Sequence, residues 1–201
     1  MLEKPHLILA TRNPHKTAEI RSMLEHRFEL SDLSEYPDLP EIKETGSTFL
    51  ENARLKALGI SSLVTAWVLA DDSGLEVDAL EGAPGVWSSS YGGEEGNHLK
   101  NNARLLAEMA GKPNRNARFR CTLVLAKGGE EKAVFRGTVE GSIALKLTGS
   151  GGFGYDPMFI PEHYNKSMAD LEFQTKNSLS HRTRAIREFV LAVENGNLLN
   201  L

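Results

Sequence analysis

The sequence predicts an α/β protein built on a mixed β-sheet. Two observations carry this. In the first half, short apolar runs alternate with segments of helical spacing; in the second half, strand-like segments follow one another with glycine turns between them. The composition agrees with an ordinary globular protein of one domain, or of two lobes around one cleft: 40% of the 201 residues are hydrophobic and 25% charged.

The elements follow in order. His6 to Ala10 is apolar enough for a buried strand, and Pro14 suits the first position of a helix running to about Glu25, with Ile20, Met23 and Leu24 on its inner face. Phe28 to Leu33 reads as a second strand. A helix over about Thr48 to Leu58 places Phe49, Leu50, Ala53 and Ala57 at helical spacing. A strand precedes Asp71, and His98 to Ala110 reads as a helix. Phe119, Cys121, Leu123 and Leu125 alternate with their neighbours, a strand pattern. Gly128-Gly129 then turns the chain into strands over about Lys132 to Val139 and from Gly141 toward Leu147. Gly149 to Gly154 is a glycine loop, Met158 to Ile160 a short strand. The last helix starts near Ser178 or Ser180 and ends near Glu194.

The most informative stretch is Leu69-Ala70-Asp71-Asp72-Ser73-Gly74-Leu75. It reads as a buried strand ending in an acidic turn, and carboxylates at such a strand end sit at the mouth of a cleft. Two adjacent acids there suit a hard metal ion or an activated water. In extended backbone, however, successive side chains point to opposite faces, so one ion cannot easily take both. The chemistry is therefore assigned to Asp72, and Asp71 is expected to support it or fix the turn. Glu44 is the candidate second carboxylate.

Thr11-Arg12-Asn13-Pro14-His15-Lys16 joins a strand to a helix. Exposed N–H groups, a helix dipole and Lys16 would make an anion site there; a capped helix with a solvated lysine is the alternative. Ser178-Leu179-Ser180-His181-Arg182 places cations at a helix start, where the dipole disfavours them, which makes sense if an anion or a carbonyl-rich ring lies opposite. Gly149-Ser150-Gly151-Gly152-Phe153-Gly154 has the spacing of a dinucleotide fingerprint. An apolar strand follows it rather than the helix that such a site needs, so an NAD-type oxidoreductase is disfavoured. Neither a Walker P-loop, a GxSxG elbow nor an HExxH motif occurs. The net charge of -4 excludes a basic field for wrapping nucleic acid. The single cysteine, Cys121, excludes an internal disulfide and reads as core. No leader and no apolar run approaching ~18 residues is present, so a cytoplasmic protein without a membrane partner is expected.

Taken together, five segments in order resemble one family: ATRNPHKTAEI at Ala10–Ile20, ETGSTFLENARLKA at Glu44–Ala57, ADDSGLEVDALEGAPGV at Ala70–Val86, GTVEG followed by TGSGGFGYDPMFIP between Gly137 and Pro161, and KNSLSHRTRA at Lys176–Ala185. The sequence is similar to the inosine triphosphate pyrophosphatases, also called XTP/dITP diphosphatases, over nearly its whole length. The resemblance implies a two-lobed α/β fold with a long mixed sheet flanked by helices around a central cleft, a single catalytic domain over residues 1–201, and a homodimer. It implies Mg2+-dependent hydrolysis of purine nucleoside triphosphates (ITP, dITP, XTP) to the monophosphate and pyrophosphate. Carried over, Thr11, Asn13 and Lys16 hold phosphates with help from Lys56, and Arg12, Pro14 and His15 belong to the same substrate-binding segment. Glu44 and Asp72 serve the metal, with Asp72 also accepting the proton of water. Ser73, Phe153, Gly154, Tyr155, Asp156, Lys176, His181 and Arg182 line the nucleotide site. Arg182 is expected near the 6-oxo group with His181 beside it, Asp156 at N1–H, and Phe153 or Tyr155 stacked on the ring. Two positions depart from the pattern: Arg12 stands where many relatives carry glycine, and Ser90 where bacterial relatives often carry arginine. A nucleotide-binding regulator on the same scaffold, or a pyrophosphatase for pyrimidine or methylated nucleotides, is the rival reading.

Overall fold

The computed structural model describes residues 4–196. Among them are six strands: β1 (His6–Leu9), β2 (Glu29–Asp32), β3 (Trp67–Val77), β4 (Asn116–Lys127), β5 (Glu130–Ile143) and β6 (Phe159–Pro161). Five α-helices accompany them: α1 (Pro14–Leu24), α2 (Phe49–Ser61), α3 (His98–Glu108), α4 (Phe173–Leu179) and α5 (His181–Glu194). The strands hydrogen-bond in the order β2-β1-β3-β4-β5-β6. The sheet is mixed, as expected: β1 runs parallel to both β2 and β3, whereas β5 and β6 are antiparallel. No helix among the described residues is long and apolar enough to cross a membrane.

The chain divides into two compact units. The first runs to Asp72, resumes over Cys121–Gly137 and again from Arg182; the second comprises Ser73–Arg120 and Thr138–His181. In the first unit the alternation of strand side chains separates two cores. Leu7, Leu9, Leu69, Cys121, Leu123 and Leu125 pack with Ile20 and Leu24 of α1 and with Ala185, Ile186 and Phe189 of α5. Their neighbours Ile8, Ala10, Val68, Ala70, Val124 and Ala126 pack with Ala53, Ala57 and Ile60 of α2. Burial on both faces explains why these strands read as nearly continuous apolar runs. α2 begins where Thr48 accepts from the Glu51 N–H and Glu51 accepts from the Thr48 N–H, a reciprocal cap. The second unit has its own core, in which Leu75 and Val77 meet Leu105, Phe119, Val139, Tyr155 and Phe159.

Two expectations from the sequence are corrected, and one helix is added. β3 does not end before the acidic pair; it runs through Asp71 and Asp72 to Val77. Ser73-Gly74 carries a turn signal, but the inward Leu75 and Val77 that follow continue the strand. The two strands expected after Gly129 are one, β5. Gly141 lies within it not as a turn but as a close approach: a Cβ there would collide with the Ile160 carbonyl and the Phe159 ring. The last helix, α5, starts at His181 and ends at Glu194, as expected, but α4, ended where Ser180 takes an extended backbone (ψ 144°), is a separate helix not read in the sequence.

Candidate active site

In the first unit, strand parity decides which helices each acid can reach. Asp71 points with Leu69 to the face covered by α1 and α5. Asp72 points with Val68 and Ala70 to the face covered by α2. Lys16 of α1 accordingly places its Nζ 2.5 Å from Asp71 Oδ1, and Arg182 of α5 donates from Nε to Asp71 Oδ2 at 2.8 Å. The Cys121 thiol donates to that same oxygen at 3.2 Å. Arg182 Nη1 also donates to Glu19 of α1. On the other face Lys56 of α2 lies 3.2 Å from Asp72 Oδ1 and 2.9 Å from Glu44 Oε2. Lys56 Nζ further donates to the Asp71 carbonyl at 2.9 Å, and Lys16 Nζ reaches that carbonyl at 3.5 Å. Two ammonium groups therefore converge on one residue, with Glu44 and Asp72 beside them.

The electrostatics of the two aspartates differ. Burial works against the charge of Asp71, but Arg182 and Lys16 overcome it and hold the carboxyl well below 3.8. For Asp72 burial prevails. Lys56 and Lys16 pull its carboxyl down, Glu44 pushes it up, and the group ends near 7, raised to about 7 from 3.8. Glu44 is lowered: burial opposes its charge, but Lys56 more than compensates. Burial likewise opposes the charge of Lys56, yet Asp72 and Glu44 raise its pKa and keep it cationic. Asp72 Oδ2 is buried and has no hydrogen-bond partner.

The Thr11–Lys16 turn is built differently from the anion site read in the sequence. Asn13 Oδ1 accepts from the His15 and Lys16 N–H groups at 2.9 and 3.3 Å, so the cap occupies the donors that were to meet a phosphate. Thr11 Oγ1 accepts from Asn13 N at 3.1 Å, and Arg12 Nη2 donates to the Leu39 carbonyl at 2.8 Å. Pro14 opens α1 without an N–H, and His15 is exposed. Lys16 of this segment pairs with the Asp71 carboxylate.

The second unit holds the glycine loop. Lys176 of α4 and Asp156 are both buried and lie 2.7 Å apart. Asp156 Oδ2 also accepts from Phe153 N at 2.9 Å. The Phe153 ring is half-buried, with Lys176 Nζ 5.4 Å from its centroid and His98 6.2 Å away. Tyr155, by contrast, is in the core and donates to the Ser88 carbonyl at 2.9 Å. Of the two aromatic residues expected to stack on a base, Tyr155 lies in the core and Phe153 is half-buried. His181 stacks on Phe119, centroids 4.9 Å apart. Ser73 is half-buried in β3, directly after Asp72. Gly152 has a φ of +74°, and a Cβ there would meet Asp156 Oδ2 and Lys176 Nζ. Gly152→Ala is expected to cost at least about 1–2 kcal/mol from backbone strain alone, measurable as a lower urea midpoint; an unchanged midpoint would show that the loop is loose.

Sequence reasoning missed two residues. Asn102, buried on α3, donates to the Gly154 carbonyl at 3.0 Å and anchors the loop. Its signal was weak: asparagine is a poor helix former, so a helical Asn on an inward position carries a polar task. Glu19 lies three residues after Lys16 on α1 and reads as an ordinary helix-surface pair. Arg182, expected opposite a base, is 2% exposed and pairs with Asp71 and Glu19.

Comparison with known proteins adds an independent line. The sequence matches the model of the Ham1 family over residues 7–192. A dITP/XTP pyrophosphatase of Exiguobacterium is 50% identical over 183 residues, covering 90% of this chain and 93% of that relative. One from Streptococcus pyogenes is 46% identical over 188 residues, 92% of this chain, which spans 57% of that longer relative. The structure of the Staphylococcus aureus Ham1 protein superposes with a TM-score of 0.87 at 37% identity, covering 95% of this chain and 99% of that one. A HAM1 protein from Coxiella burnetii gives 0.88 at 35% identity with the same coverage, 95% and 99%. The chain belongs to the Ham1 family.

Proposed function

We propose that this protein hydrolyses purine nucleoside triphosphates bearing a 6-oxo base, ITP, dITP and XTP, to the monophosphate and pyrophosphate, with Mg2+. The observation that carries the reading is the meeting of Lys16 and Lys56 at the Asp71 carbonyl, with the Asp72 carboxyl 3.2 Å and the Glu44 carboxyl 2.9 Å from Lys56 Nζ. A carboxylate placed there suits the acceptance of a proton from an attacking water. Lys16 and Lys56 supply positive charge for the phosphates. The names borne by the relatives, dITP/XTP pyrophosphatase, support the same substrate class.

Glu44 and Asp72 are the residues that would hold Mg2+. They fit it: the two carboxyls crowd one another, and Asp72 Oδ2 is a buried acceptor without a partner. Among the described residues no cluster of three or more His, Cys, Asp or Glu occurs, and Mg2+ does not need one, since it usually takes one or two carboxylates with waters and phosphate oxygens. When bound, the ion supplies charge neutralisation at the phosphates.

For the base, Asp156 and Lys176 form an acceptor–donor pair beside the Phe153 ring. A 6-oxo purine offers an acceptor at O6 and a donor at N1, matching Lys176 and Asp156; adenine offers the reverse. Phe153 provides a stacking face, and His181 belongs to the same lining. The reading carries with it a cytoplasmic homodimer without nucleic-acid or membrane partners, in keeping with the net charge of -4.

The test is a panel of dITP, XTP, ITP, GTP and dATP, with the products separated by ion chromatography. Pyrophosphate is expected from the first three and much less turnover with dATP, by roughly 10⁴ where hydrogen-bond patterns are reversed. EDTA is expected to abolish activity. Orthophosphate as first product, equal use of dATP and dITP, or indifference to EDTA would each sink the corresponding part of the reading.

A further inference from the structure

Two adjacent asparagines of α3, Asn101 and Asn102, are only 1% and 4% exposed. Asparagine is a poor helix former and is seldom fully buried, so the pair calls for a polar task. Each spends its side chain on a different loop of the second unit. Asn101 Nδ2 donates to the Ser89 carbonyl at 2.8 Å and to the Ser88 carbonyl at 3.3 Å, and its Oδ1 accepts from Gly92 N at 2.5 Å. Asn102 Nδ2 donates to the Gly154 carbonyl at 3.0 Å. The Ser88 carbonyl also accepts from the Tyr155 hydroxyl at 2.9 Å. Because Asn101 adjoins Asn102 and Gly154 adjoins Tyr155, these contacts close a ring. It runs from α3 through Ser88 to the glycine loop and back to α3.

We propose that Asn102, through this ring, is a positioning residue for the base: it fixes the Gly154 peptide and, with it, Phe153 and Asp156. The inference rests on the proposed function. Gly154 has a φ of +62°, and an added Cβ there would meet nothing within 4 Å. On that side the peptide is not held by packing, so the hydrogen bond from Asn102 holds it. Asn102 Oδ1, by contrast, is buried without a hydrogen-bond partner among the described residues. A side chain that leaves a buried acceptor unmet is a poor device for stability alone. The amide is retained for what its Nδ2 positions. His98, one turn earlier on α3, lies beside the Phe153 ring, centroids 6.2 Å apart. The same helix therefore borders the stacking face and ties down the backbone that follows it.

Asn102→Leu keeps the approximate size of the side chain and removes the donor. Affinity is measured by calorimetry in Mg2+-free buffer for two probes: dIMP, which carries the base, and inorganic tripolyphosphate, which carries none. KM, kcat and the dITP:dATP ratio of kcat/KM are measured alongside with Mg2+. In the variant, dIMP is expected to bind about tenfold more weakly, a moderate loss for a small misplacement of a binding group. KM for dITP rises with it at nearly unchanged kcat, and the dITP:dATP ratio falls because Asp156 is misplaced together with Phe153. Tripolyphosphate affinity stays as in wild type. Tyr155→Phe opens the ring at another point and is expected to act in the same direction. In the double variant Asn102→Leu/Tyr155→Phe the loss is smaller than the product of the two single losses, as for residues of one network.

Should Asn102→Leu fail to fold, Asn102→Ala, which removes the amide without overfilling the site, takes its place. Unchanged dIMP affinity, an equal weakening of tripolyphosphate, or single losses that multiply in the double variant would each overturn the proposal. Wild-type protein that binds tripolyphosphate but not dIMP overturns the base assignment of Phe153, Asp156 and Lys176, and the proposal with it. Wild-type protein that binds neither overturns the proposed function as a whole, a distinguishable result.

Discussion

Asp72→Asn is expected to lower turnover at least about 100-fold, the low end for loss of a positioned acid–base group, while the protein stays folded. The amide keeps the shape of the carboxyl but cannot take a proton from water. The stability consequence has a definite sign. The folded carboxyl sits near 7, above its ordinary 3.8, so the wild-type protein holds the resulting stabilisation fully below 3.8 and loses it as pH rises through about 7. In metal-free protein the variant is therefore expected to gain on wild type between those values and to be the more stable of the two above pH 7. Thermal unfolding of both proteins with EDTA at pH 4 and pH 8 measures this. A variant that is less stable at both overturns the raised carboxyl, and one that retains near-normal turnover removes Asp72 from the chemistry. An active-site group that lowers stability while providing activity is the usual trade at such positions.

The second large effect concerns the fold. Arg182→Ala is expected to destabilise the protein by about 3–5 kcal/mol, the cost of removing one member of a buried ion pair. Asp71 is left buried without its guanidinium, and the volume of a fully buried side chain is lost. Because Arg182 and Lys16 hold the Asp71 carboxyl well below 3.8, this contribution is complete above 3.8 and disappears as pH falls through the lower, folded value. The gap between wild type and variant in urea unfolding is thus expected to be wide at pH 7 and to narrow on strong acidification. A constant gap would assign the loss to packing alone.

Much of the fold was legible because burial on both faces makes β1, β3 and β4 read as apolar runs, and because Pro14, Thr48 and Gly128-Gly129 mark ends by local chemistry. The errors arose where long-range partners overrule local signals. Asp71-Asp72-Ser73-Gly74 looks like a turn until Lys16, Lys56 and Arg182 neutralise it inside a strand. The short helix α4, which ends at Ser180, was too short to show a periodicity of its own. The candidate carboxylates were visible as residues. Their different surroundings, one beside a guanidinium and one beside another carboxyl, were not, since Glu19, Glu44 and Arg182 lie far apart in sequence. At Thr11–Lys16 the capped helix, offered by the sequence as the alternative, is the arrangement found, with Asn13 as the cap.

The opposite orientation of Asp71 and Asp72 in β3 gives this strand an unusual kind of fragility. Its meaning is carried by odd and even position rather than by residue type alone. A deletion or insertion of one residue between Trp67 and Asp71 would turn every following side chain over if the strand kept its pairing. A deletion would set Asp72 opposite Arg182 and Ser73 opposite Lys56; an insertion would set Asp71 opposite Lys56 and an uncharged residue opposite Arg182. Substitution can be graded at these positions; a frame change in the strand cannot. Libraries built on this scaffold can therefore vary the residues around the acidic pair widely, provided the count of residues leading to it is kept.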